Sequence, residues 1–168
     1  MYYDNDHIIE QAHKLIREAG TSDPASLADY LDISVKPVPF RKQKGVYQVI
    51  EDIPFIFIKE DLAPEIYNIV ILHEIGHDRL HRDIAKAFAE YDLFDMQTSR
   101  MEYEANLFAA EISLPDDEIL DYIYQGMDVS QIARAMYSDI NLVALKASDM
   151  IRRGYNFNQI DHRNDFLR

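Results

Sequence analysis

The chain has 168 residues, 48% of them hydrophobic, which suits one compact domain with a single substantial core. It contains no cysteine, so disulfide staples and thiolate metal sites are excluded and any metal must use His and carboxylate ligands. The formal net charge of −13, from 30 acidic against 17 basic side chains, argues against direct nucleic-acid binding, which draws on Lys and Arg to neutralise phosphates.

In chain order, Ile8, Ile9, Ala12, Leu15, Ile16 and Ala19 form one apolar stripe, predicting a helix over 6–19 that Gly20 stops. The start, Met1 to Asp6, lacks the basic and apolar regions of a signal peptide, and no run approaches the roughly 18–20 apolar residues of a membrane span. A cytoplasmic protein is expected. Asp23-Pro24 reads as N-cap and first residue of a short helix through Leu31. Pro37 and Pro39 reduce 33–40 to a loop or edge strand. Val46–Ile50 and Phe55–Ile58 are β-rich runs separated by Glu51-Asp52-Ile53-Pro54, which predicts a hairpin. Phe55–Ile58 would serve as an edge open to an extended peptide, or equally as an interior strand.

Asp61-Leu62-Ala63-Pro64 leads into a further helix, and 84–97 is less regular. Helices are predicted from Thr98 or Ser99 to Ile112, then over 116–124, 129–137 and 141–153, punctuated by Gly126 and Gly154. Asp116, Asp117, Glu118 and Asp121 read as a helix start, and Glu111 and the acids after it as ordinary surface groups. With no repeats or linkers, residues 1–154 make one domain and 155–168 a polar, poorly ordered tail. The fold class expected is α+β, mostly helical, with a small antiparallel sheet beside the helix that follows Pro64.

That helix carries His73-Glu74-Ile75-Gly76-His77. Helical positions four apart differ by only about 40°, so the two imidazoles share a face and can hold one Zn²⁺, with Glu74 beside them to handle protons. Such a set also arises by chance on solvated faces. Here Ile66, Ile69, Val70, Leu72 and Ile75 surround it, and a buried set must be satisfied at a cost of a few kcal/mol per group. A catalytic zinc needs a third protein ligand. His81 lies two turns along, about 80° round from His73, and cannot share one ion comfortably. Glu102, 102 − 77 = 25 positions after His77, is the better choice, because Glu102, Ala105, Asn106 and Ala109 share a face with room for close helix approach. Its alternative role is a capping box with Ser99. Glu104 is the second choice of ligand, about 200° round from Glu102.

The pairing of His73-Glu-Ile-Gly-His77-Asp-Arg-Leu-His81 with Glu102-Tyr-Glu-Ala-Asn-Leu-Phe-Ala-Ala-Glu-Ile-Ser-Leu-Pro115 resembles the ImmA/IrrE metallopeptidases, small cytoplasmic zinc proteases often encoded by phages and mobile elements. The resemblance implies a zincin-like fold, zinc held by His73, His77 and Glu102, and Glu74 as general base. It implies a structural role, or support of the metal-binding imidazoles, for His81. It implies endopeptidase action on a helix-turn-helix transcriptional repressor. Asp78 and Glu104 are candidates to orient the imidazoles, and Tyr103 and His81 to assist at the oxyanion. Rival readings are a non-cleaving anti-repressor with a structural zinc, and a DNA-binding regulator. Residues 129–146 have a helix-turn-helix cadence, but Lys146 is the putative recognition helix's only cation before Arg152 and Arg153.

Overall fold

A computed structural model describes residues 5–90 and 99–157. Helix α1 (Asn5–Ala19) buries Ile8, Ile9, Ala12 and Leu15, and Gly20 closes it at φ +70°, a left-handed conformation that a Cβ would strain. In α2 (Pro24–Tyr30), Asp23 accepts the Ser26 N–H at 3.0 Å and proline occupies the first turn, where no N–H is needed.

Three strands follow: β1 (Ser34–Val38), β2 (Gly45–Ile50) and β3 (Ile53–Lys59), in the spatial order β1-β3-β2. The expected antiparallel hairpin is β2–β3, with Tyr47 opposite Ile56. Its turn is only Glu51-Asp52, both at positive φ (50° and 65°), the backbone that matches strand twist in a two-residue hairpin. The sheet differs from an all-antiparallel one because β1 pairs parallel with β3. Strand β3 is interior because both its faces are apolar, with Pro54, Ile56 and Ile58 buried and Phe55 and Phe57 half-buried. Edge strand β1 tolerates Pro37, whose nitrogen has no proton to give. The strand beside the next helix is therefore β2, not Phe55–Ile58.

Helix α3 (Pro64–Glu90) continues through 84–90, part of the stretch expected to be less regular. Alanine, lysine and glutamate there favour helix even though their apolar positions lack a clean stripe. Residues 91–98 lie outside those described. Helices α4 (Ser99–Ser113), α5 (Asp116–Tyr124), α6 (Val129–Ala135) and α7 (Ile140–Arg152) complete an α+β single domain. One core joins α1, α2, the sheet, α3 and α4; a second lies among the end of α4 and α5–α7. Phe157, at the start of the expected tail, is buried in the second core and stacks on Tyr155; 158–168 lie outside the described residues. Among the described residues no helix is long and apolar enough to cross a membrane.

In the α6–α7 unit, Lys146 is fully buried and ion-paired with Glu111 and Asp116. Arg153 grips Asp116 through two hydrogen bonds, and Arg152 bonds Asp6 and Asp149. These three cations are thus turned onto the body of the protein, while Arg134 of α6 is exposed. Glu111 is no surface group: it is 4% exposed and also contacts His13 at 2.8 Å. Its partner Lys146 lies 35 residues away, beyond the reach of local pattern.

Candidate metal centre

Helix periodicity brings His73 and His77 together on α3, their Nε2 atoms 3.2 Å apart. Glycine at 76 lets α4 cross tightly, since a Cβ there would sit 3.1 Å from the Ala105 Cα and 3.3 Å from its carbonyl oxygen. Glu102, in the first turn of α4, then straddles the two rings, with Oε1 3.1 Å from His77 Nε2 and Oε2 3.2 Å from His73 Nε2. These three ligand-capable groups lie within 4.8 Å of one another. Tetrahedral zinc with bonds of about 2.0–2.1 Å separates its ligand atoms by about 3.3 Å. The spacing fits.

The outer nitrogens carry the same message. His73 Nδ1 meets the Asn106 carboxamide oxygen at 2.8 Å, and because that oxygen only accepts, Nδ1 carries the proton and Nε2 keeps its lone pair. His77 Nδ1 lies 3.0 Å from His81 Nδ1, and His81 Nε2 lies 2.8 Å from Glu104 Oε2. A carboxylate accepts, so neutral His81 donates from Nε2 and accepts at Nδ1; His77 then donates from Nδ1 and also keeps its Nε2 lone pair. Arg100 anchors Glu104 at 2.7 Å. In their neutral forms both imidazoles therefore turn an Nε2 lone pair inward, as a metal requires.

Glu74 is 3% exposed, and its Oε2 is buried with no hydrogen-bond partner among the described residues. Strand β2 presses against it: the Tyr47 backbone N–H bonds it, and a Cβ on Gly45 would lie 2.9 Å from its Oε1 and 2.6 Å from Val70. Burial pushes the Glu74 carboxyl up to about 7, and the Glu102 charge adds to this against the pull of His73 and the Tyr47 N–H. Burial would raise Glu102 as well, but the His73 and His77 rings that face it hold it far below the usual carboxylate range. Burial depresses His77 despite its bond to Glu102, favouring the neutral ring. Burial opposes protonation of His73 too, yet Glu102 and Glu74 outweigh it and leave that ring raised.

Several expectations change. Asp78 orients neither imidazole: it accepts the Tyr47 hydroxyl at 2.6 Å and Arg82 at 3.4 Å, tying β2 to α3. Glu104 reaches His77 only through His81, whose ring is committed to both. The Tyr103 hydroxyl accepts from Asn5 at 2.9 Å. The Glu102 side chain reaches the imidazoles, and the Ser99 side chain of the expected capping box lies outside the described residues. Asn106 was missed as a partner, although it shares a helix face with Glu102 and therefore had to meet the same rings.

The sequence matches the family model described as the IrrE N-terminal-like domain over residues 28–148, which spans the sheet, the α3–α4 cluster and the start of α7. The chain belongs to the ImmA/IrrE metallopeptidase family. It is 34% identical over 122 residues to an uncharacterized immunity region protein 2 of Bacillus phage phi105, covering 71% of this chain and 76% of that one. It is 29% identical over 136 residues to the metallopeptidase ImmA of Bacillus subtilis (strain 168), covering 78% of each. A family of metallopeptidases implies a metal, and His73, His77 and Glu102 form the cluster among the described residues able to hold one.

Proposed function

We propose that this protein is a zinc-dependent endopeptidase that cuts a helix-turn-helix transcriptional repressor, with His73, His77 and Glu102 as metal ligands and Glu74 as general base. The observation that carries the reading is the buried Oε2 of Glu74, without a partner among the described residues, beside a ligand cluster. A structural metal would not need it. Zinc bound there would supply a Lewis acid for activating water and polarising the scissile carbonyl, roles the three-ligand set leaves room for.

Glu74 takes the proton from the attacking water and returns it to the departing amine, a task suited to a buried carboxyl beside the ligand cluster. Strand β2 holds that carboxyl through the Tyr47 N–H and, paired on one side only among the described residues, offers its other edge for main-chain bonds to an extended substrate. Asn106 and the His81–Glu104–Arg100 chain fix the imidazole tautomers. The repressor as substrate rests on the family and on the immunity-region name of the phage relative.

The test is incubation of the zinc-loaded protein with the helix-turn-helix repressor encoded beside it, followed by mass spectrometry. Wild type should give two fragments; Glu74→Gln should keep its metal and slow cleavage by on the order of 10²–10⁴-fold. If both relieve repression equally without cutting, the protein is a binding antagonist and the peptidase reading is wrong.

A further inference from the structure

Between Asp32 and Glu51 the sequence holds no acidic residue, yet it carries Lys36, Arg41, Lys42 and Lys44 in a protein of net charge −13. All four side chains are exposed and make no ion pair among the described residues. The contrast with the helices is sharp, for the basic groups of α1, α4 and α7 are tied to carboxylates. Solubility does not explain the cations, because the net charge is already far from zero. Stability does not either, since neighbouring like charges at 41, 42 and 44 repel.

Three of them lie on the β1–β2 loop, whose backbone is clamped. The Lys59 N–H donates to the Lys44 carbonyl at 2.8 Å, and the Lys59 ammonium donates to the carbonyls of Phe40 at 2.9 Å and Arg41 at 3.4 Å. The loop runs directly into Gly45, the residue packed against Glu74. Because β3 lies between β1 and β2, this loop crosses the end of β3, with Arg41 beside Lys59, before Lys44 leads into Gly45 at the strand that holds the proposed proton acceptor.

We propose that Arg41, Lys42 and Lys44 form a docking strip for an acidic polypeptide segment entering along β2. The proposal rests on the peptidase reading, which it deepens by naming the substrate's chemistry. Asp or Glu side chains on the part of the segment that passes the loop would meet them. Phosphates would also suit the charges, but the adjoining strand edge offers main-chain partners that a polypeptide can use.

The probes are two fluorescein-labelled twelve-residue peptides of one alanine-rich sequence, one with four Glu and the other with four Gln, alongside a twelve-nucleotide oligo-dT. Binding to zinc-loaded Glu74→Gln protein is read by anisotropy. The Glu peptide should bind about tenfold more tightly than the Gln peptide, and added salt should narrow the gap. The Arg41→Ser/Lys42→Ser/Lys44→Ser variant, with wild-type circular dichroism and zinc content, should lose the preference. Equal binding of the two peptides, a preference that survives in the triple variant, or tighter binding of oligo-dT would overturn the proposal. Repressor cleavage by wild type, measured separately, keeps the two claims apart. Cleavage without the Glu preference sinks the docking strip alone; the preference without cleavage sinks the peptidase and leaves the strip standing.

Discussion

Two buried polar clusters meet on α4, and they are built on opposite principles. Toward α7, Glu111 and the neighbouring Asp116 and Asp149 are matched by Lys146, Arg152 and Arg153, so each charge faces an opposite one. Toward α3, Glu102 faces the Nε2 atoms of two imidazoles, and Glu74 keeps an oxygen with no partner among the described residues. The first cluster is closed and locks helices in register. The second gathers ligand-capable atoms within 4.8 Å of one another, an arrangement that a cation would join. Burial alone does not distinguish structure from chemistry; whether the charges balance does.

The largest effect should come from opening the closed cluster. Lys146→Met leaves Glu111 buried against an apolar chain, and breaking a buried pair in this way costs about 3–5 kcal/mol. Urea denaturation should show the loss, while the folded fraction keeps its metal. Loss of zinc in proportion to stability would instead mean that the two clusters are one unit.

A smaller effect sharpens the other side. His81→Phe removes the acceptor that fixes the His77 tautomer, so zinc affinity should fall by about 10–100-fold in chelator competition. An unchanged affinity with lowered stability would reduce His81 to packing.

The smallest effect is a pH dependence at Asp116. Hydrogen bonds from Arg153 hold its carboxyl below the usual range, with Lys146 adding to them against burial. A depressed folded pKa gives stability that is present above the unfolded value of about 3.9 and is lost as pH falls through the folded one. Asp116→Asn should thus be less stable than wild type at neutral pH, and the gap in urea midpoint should narrow below about pH 4. A gap independent of pH would contradict the assignment.

How much was legible in the sequence follows from the same contrast. The α3 motif was readable because a helix fixes the angle between His73 and His77 without help from the rest of the chain. Glu102 was within reach because its face carries Ala105 and Ala109, which signal close packing. The cap at Asp23 and the stop at Gly20 are local chemistry and were equally visible. The Lys146–Glu111 pair was not, because 35 residues of sequence separate the partners and nothing local marks either one as buried. The parallel seat of β1 and the central seat of β3 likewise depend on pairing across the sheet. Asp78 misled because its neighbour in sequence is His77, whereas its neighbour in space is the Tyr47 hydroxyl.

The most direct test of the account is the zinc content of purified Glu102→Ala after exhaustive dialysis, set against wild type and Glu74→Gln. Wild type and Glu74→Gln should each hold about one equivalent, and folded Glu102→Ala should hold well under half of one. A full equivalent in Glu102→Ala would contradict the claim that the α3–α4 cluster is the metal centre.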